Sequence, residues 1–141
     1  MINIEIIESC ESKLGRILVI EDDLALLGLL RVHLAGAGYR VDTAAEAVSA
    51  LRSIVAEPPD LILLDLNVPY LDSFELLAAL RAEPATDKIP VIVLTGRTDD
   101  DSYARAKQLG VQKYFTKPVA REELLNAIEA QLAAGDSTPA G

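Results

Sequence analysis

The sequence predicts an α/β domain in which a doubly wound, five-stranded parallel sheet is covered by helices on both faces. Three short, continuous apolar runs at 17–20, 61–64 and 91–94 are bounded by acidic residues, Pro or Gly, which is typical of strands buried on both faces. Longer segments with apolar residues at helical spacing lie between and after these runs. This alternation implies right-handed crossovers, and therefore a parallel sheet.

The remaining elements are placed by weaker signals. Two further strands are expected near 39–41 and 113–115, and the predicted helical segments are 26–34, 44–55, 74–80, 103–109 and 124–132. Gly36 and Gly38 end the first helix, and Gly110 ends the fourth. Pro58 and Pro59 precede the third strand. Breakers thus lie at the ends of several predicted elements.

The 141 residues have room for one domain, expected over 15–133. Residues 1–14 are expected to form a loosely ordered N-terminal extension, with an added strand as the alternative because Ile2, Ile4 and Ile6 alternate. Residues 134–141 are small and polar and are expected to be disordered.

Charge and cysteine content narrow the classes of function. The chain has 13 Lys and Arg against 22 Asp and Glu, so its net charge of −9 disfavours direct binding to nucleic acid or to anionic membranes. Cys10 is the single cysteine, which excludes an intrachain disulfide and fits a reducing compartment. No apolar stretch approaches the ~20 residues of a membrane span. A cytoplasmic protein is expected.

The polar residues that follow the predicted strands are the candidates for a site, because loops at the carboxyl ends of parallel strands converge at one edge of the sheet. These residues are Glu21, Asp22, Asp23, Asp65, Asn67, Thr95 and Lys117. Clustered carboxylates favour a divalent cation, and oxygen ligands favour Mg²⁺, or Mn²⁺, over Zn²⁺.

Asp65 directly follows an apolar strand, and a carboxylate beside a bound metal can act as a nucleophile toward a phosphoryl group. Thr95 and Lys117 would then supply a hydroxyl and a cation to the phosphoryl oxygens. Purely structural readings stay open here: the 21–23 acids or Thr95 could cap helices, and Lys117 could be a solvated charge.

Four motifs in this order carry a family resemblance. They are Leu18-Val-Ile-Glu-Asp-Asp23, Asp60-Leu-Ile-Leu-Leu-Asp-Leu-Asn-Val-Pro69, Val91-Ile-Val-Leu-Thr-Gly96 and Tyr114-Phe-Thr-Lys-Pro118. From about residue 16 to 132 the chain resembles the receiver domain of two-component response regulators, of the chemotaxis-regulator type. The resemblance implies a flavodoxin-like sheet with strand order 2-1-3-4-5.

The resemblance also implies residue roles. Asp65 would be the phosphoacceptor, and the Mg²⁺ ligands would be Glu21, Asp22, Asp65 and the backbone carbonyl of Asn67. Thr95 and Lys117 would bind the phosphoryl group, while Thr95 and Tyr114 would form the switch. The loop after Asp65 departs from the family pattern at two positions. Ser73 replaces a common Gly, which tolerates a positive φ more readily than Ser does, so the expected backbone conformation of the loop is in doubt. Tyr70 stands where a small residue is common.

The expected function is that of a stand-alone receiver in a phosphorelay, a monomer or weak homodimer that catalyses only its own phosphorylation and slow dephosphorylation. Its partners would be a histidine kinase or histidine phosphotransfer protein and a downstream protein, with Leu24, Leu27 and Tyr103 as candidate contact residues. One alternative is a pseudo-receiver without chemistry, which would normally lack one of the site residues. Another is a haloacid-dehalogenase-type phosphatase, which would need an acid where this chain has Asn67.

Overall fold

The computed structural model describes residues 14–68 and 72–136 and consists of five strands that alternate with five helices. The strands are β1 (Arg16–Ile20), β2 (Arg40–Ala44), β3 (Leu61–Leu64), β4 (Val91–Thr95) and β5 (Lys113–Thr116). The helices are α1 (Leu24–Gly36), α2 (Ala47–Ala56), α3 (Ser73–Ala82), α4 (Asp100–Gln108) and α5 (Arg121–Asp136). All neighbouring strands are parallel and their order is β2-β1-β3-β4-β5, which confirms the predicted fold class and strand order.

The three central strands are buried along their whole length, and their side chains alternate between two apolar clusters. Leu18 and Ile20 belong to the cluster on one face, which α2, α3 and α4 cover. Ile17 and Val19 belong to the cluster on the other face, which α1 and α5 cover. Burial on both faces explains why these strands are continuous apolar runs in the sequence.

The strand register places the carboxyl ends of the strands together. Ile20 at the end of β1 lies opposite Ala44 of β2 and Leu64 of β3, and Thr95 of β4 lies opposite Thr116 of β5. The residues that follow these strands therefore start from the same edge of the sheet.

The buried face of α1 includes Leu27, which the sequence singled out as a candidate contact residue. Leu27, Leu30 and Leu34 are its buried residues, whereas Leu29 is 52% exposed and Leu24 is 74% exposed. The prediction that Leu27 belongs to an exposed docking patch was therefore wrong. A helix that is apolar nearly all round leaves its rotation undetermined in the sequence, and packing against the sheet selects the i, i+3, i+7 row that contains Leu27.

Several element boundaries also differ from the predicted ones. β2 covers Arg40–Ala44 rather than 39–41, because pairing with β1 extends it through polar residues. The last helix continues to Asp136, three residues past the expected boundary at 133. The N-terminal extension up to residue 13 and the tail from 137 onward lie outside the described residues. Within the described part of the chain, no helix is both long and apolar enough to cross a membrane.

The amino-terminal end of the sheet is held by Arg16, which is only 7% exposed. Its guanidinium donates to the Asp42 carboxylate at 2.5 Å, to the Ser53 hydroxyl at 2.9 Å and to the main-chain carbonyl of Glu57. Its backbone N–H donates to the Asp60 carboxylate at 2.8 Å. This single residue therefore joins β1 to β2, to α2 and to the connection that enters β3.

We expect Arg16→Met to lower the free energy of unfolding by about 2–4 kcal/mol, because it leaves several partly buried acceptors without their donor. Arg40→Met is the matched control, since Arg40 is 52% exposed in its ion pair with Glu57 and its loss should cost less than about 1 kcal/mol. Urea unfolding of the two variants measures the difference. Equal losses would show that Arg16 does not hold this end of the sheet.

Candidate functional site

An ammonium group between two buried carboxylates forms the centre of the site. Lys117 Nζ donates to Glu21 Oε1 at 2.6 Å and to Asp65 Oδ2 at 3.0 Å. Glu21 is 2% exposed and Asp65 is 5% exposed. Lys117 follows β5, and its backbone N–H donates to the Thr95 carbonyl at 2.8 Å, which places it beside the end of β4. The interpretation of Lys117 as a solvated charge is therefore wrong.

Asp65 is held at its main chain and at both carboxylate oxygens. Its N–H donates to the Ile20 carbonyl at 3.0 Å, and its carbonyl accepts from the Ser73 hydroxyl at 2.9 Å. Its Oδ1 accepts from the Asn67 N–H at 3.0 Å, and its Oδ2 accepts from Lys117. Each carboxylate oxygen has two lone-pair sites, so each retains capacity for a further partner.

Of the three acidic residues that follow β1, one caps a helix and two face the site. Asp23 is the N-cap of α1, because its side chain accepts from the N–H groups of Ala25 and Leu26. Glu21 and the exposed Asp22 instead join Asp65 in a cluster whose ligand oxygens all lie within 4.8 Å of one another. Three hard oxygen donors at this spacing, with an exposed side, suit a divalent cation such as Mg²⁺.

The pKa values of the three central groups respond to burial and to one another. Burial raises the pKa of Glu21 to about 7, although the hydrogen bond from Lys117 opposes the shift. Burial also acts to raise the pKa of Asp65, but the hydrogen bonds from the Asn67 N–H and from Lys117 outweigh it and hold this pKa below its usual value. For Lys117, burial is outweighed by the bonds to both carboxylates, so its pKa is raised. Charge at the site thus concentrates on Asp65 and Lys117.

Thr95 is fully buried at the end of β4, and its hydroxyl oxygen accepts from the Arg97 N–H at 3.3 Å. It does not cap the next helix, since Asp99 does so through the Ser102 N–H. The Arg97 guanidinium donates to the Asn67 side chain at 2.7 Å and to the Ser102 hydroxyl at 3.3 Å. Sequence reasoning missed Arg97, although a basic residue in the loop after a site strand was a usable signal.

Tyr114 and Tyr103, which the sequence singled out separately, are in contact. Their rings meet edge to face, with centroids 5.2 Å apart and planes at 77°. Tyr103 is 48% exposed, and the Tyr114 hydroxyl donates to the Arg97 carbonyl at 3.1 Å. Arg97 therefore connects Thr95 at the site to the tyrosine pair near the surface.

The residues after Asp65 are described only in part. Ser73 is the first residue of α3, so it does not need the left-handed conformation that raised concern about replacing Gly. Asp72 caps this helix through the N–H groups of Phe74 and Glu75. Tyr70 lies outside the described residues, and the proposed role of the Asn67 backbone carbonyl stays a prediction.

An apolar groove of about 290 Å³ adjoins Lys117 on the side of α1. Its lining includes the α1 residues Leu26, Leu29 and Leu30 and, after β5, Pro118 and Val119. The apolar surface of α1 that adjoins the site thus involves other leucines than the predicted pair.

Comparison with known proteins identifies the family. The profile of the response regulator receiver domain matches residues 17–129, so the chain belongs to this family, a class of signalling domains. It is 38% identical over 114 residues to the transcriptional regulatory protein KdpE of Mycobacterium tuberculosis, which covers 81% of this chain and 49% of that protein. It is 35% identical over 119 residues to the phosphate regulon regulator PhoB of Rhizobium meliloti, covering 84% and 52%. The chain spans about half the length of the curated relatives it matches.

Solved structures agree with this assignment. A CheY-like receiver domain protein from Methanospirillum hungatei is 30% identical with a TM-score of 0.80, and the match covers 88% of this chain and 98% of that one. The receiver domain of a sensor histidine kinase from Pseudomonas aeruginosa is 28% identical with a TM-score of 0.77, covering 84% and 98%. That structure has a magnesium ion coordinated in its active-site cleft.

We expect Mg²⁺ to raise the melting temperature, and the rise to be larger above pH 7 than below it. Because burial raises the pKa of Glu21 to about 7, a proton competes with the cation at lower pH and the apparent affinity falls. At a hundredfold excess over the dissociation constant, binding contributes about 2.7 kcal/mol. Thermal melts with and without Mg²⁺ at each pH measure the effect.

Two variants serve as controls for this metal prediction. Asp22→Asn removes a charged ligand and should abolish the Mg²⁺ response, whereas Glu21→Gln should flatten its pH dependence. An unchanged response in Asp22→Asn would place the ion elsewhere.

Proposed function

We propose that Asp65 accepts a phosphoryl group from a phosphohistidine of a histidine kinase or histidine phosphotransfer protein. The observation that carries this proposal is the buried Asp65 carboxylate, which is held by Lys117 and Asn67 beside two further acids. Its lowered pKa keeps the nucleophile ionised near neutral pH.

The transfer needs no acid or base from the protein. A carboxylate oxygen of Asp65 attacks phosphorus, the bond from phosphorus to the donor breaks, and its electrons leave with the donor group. Lys117 is positioned to pair with phosphoryl oxygens, and the Thr95 hydroxyl at the neighbouring strand end can donate to them. Bound Mg²⁺, or Mn²⁺ with the same ligands, would neutralise the acidic cluster and the incoming phosphoryl charge.

Two alternative functions were expected from the sequence, a dehalogenase-type phosphatase and a pseudo-receiver. Membership of the receiver family argues against the phosphatase. In addition, such an enzyme needs a general acid two residues after the nucleophile, and this chain has the amide of Asn67 there. The pseudo-receiver is a member of the same family, so only chemistry separates it from an active receiver. All the acids, Thr95 and Lys117 are present together, which favours the active receiver.

We expect incubation with Mg²⁺ and a small acyl phosphate such as acetyl phosphate to modify Asp65, giving an acid-stable, base-labile adduct. Asp65→Asn should abolish it, because an amide oxygen is a much weaker nucleophile than a carboxylate. Asp72→Asn is the matched control, since Asn also caps helices and this residue only caps α3. Intact mass and peptide mapping measure the adduct. Full labelling of Asp65→Asn would refute the acceptor assignment, and an unlabelled wild type would indicate a pseudo-receiver.

We further propose that phosphorylation alters the surface that contains Tyr103 and Tyr114. If the Thr95 hydroxyl turns toward a phosphoryl oxygen, the Arg97 N–H loses its present acceptor, and the Tyr114 hydroxyl is bonded to the same residue. Contacts to a charged group contribute about 1.5–3 kcal/mol each. A shift from 1:99 to 99:1 requires about 5.5 kcal/mol, and two such contacts supply about 3–6 kcal/mol, which reaches that value only at the upper end, so we expect both conformations to stay populated.

We expect beryllofluoride, a mimic of the phosphoryl group, to change amide chemical shifts from Arg97 through Tyr114 as well as around Asp65. Thr95→Ala should still accept the mimic while losing most of the distal changes, because the link to Arg97 is gone. Changes confined to the loops around Asp65 in the wild type would show that this link does not drive a switch.

The setting of this reaction is also a proposal. The groove is lined by Lys117, whose ammonium contacts Asp65, so we propose that a protein donor that reaches Asp65 contacts the groove, with exposed Leu29 among the contact residues. The matched relatives include transcriptional regulators, and we propose that this receiver does not itself contact nucleic acid, because its net charge of −9 repels a phosphate backbone. We place the reaction in the cytoplasm, with the receiver as a monomer or weak homodimer.

A further inference from the structure

The hydroxyl of Ser73 contacts the main chain of the acceptor residue. Ser73 is 2% exposed, and its Oγ donates to the Asp65 carbonyl at 2.9 Å across the loop that joins β3 to α3. The contact is between a side chain and a backbone group eight positions away, at a place from which water is excluded.

Capping of α3 does not account for this hydroxyl. Asp72 already accepts hydrogen bonds from the N–H groups of Phe74 and Glu75, at 3.0 and 3.2 Å. The Ser73 hydroxyl instead donates away from the helix, toward the end of β3. Its partner is therefore the site and not the helix start.

We propose that Ser73 is a positioning residue for phosphoryl transfer to Asp65, an inference that rests on the proposed function. The N–H of Asp65 is held by the Ile20 carbonyl and its own carbonyl by Ser73, so both sides of its α-carbon are held. With both peptide groups fixed, the direction of the carboxylate toward the donor is restricted before the reaction begins.

The helix that carries Ser73 is also anchored by the next residue. Phe74 is 7% exposed and lies under the Arg105 guanidinium of α4, 4.0 Å from the ring centroid. Loss of the Ser73 hydroxyl should therefore free the peptide group of Asp65 while α3 stays in place. The expected defect is a misaligned acceptor, with the helix intact.

The experiment measures phosphorylation by acetyl phosphate at saturating Mg²⁺ in Ser73→Ala, Ser73→Gly and Ser73→Thr. Ala and Gly should lose about three- to tenfold in rate constant, the value of one hydrogen bond. Thr retains the hydroxyl and should stay within about twofold of the wild type. Gly is the poorer helix former and should be the less stable variant, so equal rate losses in Ala and Gly would separate the hydroxyl from stability.

Ser53→Ala is the matched control, because Ser53 accepts a hydrogen bond from Arg16 at the opposite end of the sheet. This variant should lose stability and keep its rate of phosphorylation.

A spectroscopic measurement without Mg²⁺ adds a readout independent of activity. The carbonyl ¹³C chemical shift of Asp65 should change in Ser73→Ala and Ser73→Gly but not in Ser53→Ala.

The outcomes distinguish this inference from the proposed function. Absence of label on Asp65 in the wild type would overturn both. With the wild type labelled, an unchanged rate in Ser73→Ala at saturating Mg²⁺, or an equal loss in Ser53→Ala, would overturn the role of Ser73 alone. If Ser73→Thr fails to fold, the comparison of Ala and Gly with Ser53→Ala still decides.

Discussion

The site depends on the two ion pairs that the Lys117 ammonium makes with the carboxylates of Glu21 and Asp65. Two buried carboxylates repel each other, and removal from water costs several kcal/mol per ion unless a cation compensates. Lys117 lies 96 positions from Glu21 and 52 from Asp65, so only the folded sheet brings them together. At Glu21 burial outweighs the hydrogen bond from Lys117, whereas at Asp65 the hydrogen bonds from Lys117 and the Asn67 N–H outweigh burial, so Glu21 is held closer to its neutral form than Asp65.

The parallel sheet makes this arrangement possible, because stabilising contacts lie at the amino-terminal ends of the strands and the candidate site lies at their carboxyl ends. At the amino-terminal end, Arg16 uses its hydrogen bonds to join neighbouring elements. At the carboxyl end, the side chains are held by specific bonds but keep unused lone pairs and an exposed side at Asp22. The contacts of Arg16 thus lie at the end of the sheet opposite the candidate site, where the side chains are held in position with part of their hydrogen-bonding capacity unused.

The sequence was sufficient for the fold class and for the groups that follow the strands, because both depend on local order: apolar runs, and the residue directly after each. Asp65, Thr95 and Lys117 lie at the predicted edge for this reason. The rotation of α1 could not be predicted, since an all-round apolar helix has no unique face, and Leu27 was misplaced. The contacts of Arg97 and Ser73 could not be predicted either, because three-dimensional packing and not sequence spacing determines their partners.

The edge-to-face contact of Tyr103 with Tyr114 also gives the protein an intrinsic optical reporter. The chain contains no Trp and only four Tyr, so its near-ultraviolet circular dichroism arises mainly from tyrosine rings. Two rings at this distance couple their transitions, and the coupling depends on the angle between them. Because the Tyr114 hydroxyl donates to the Arg97 carbonyl, any change in the conformation of Arg97 that alters this contact changes a signal of the unlabelled protein.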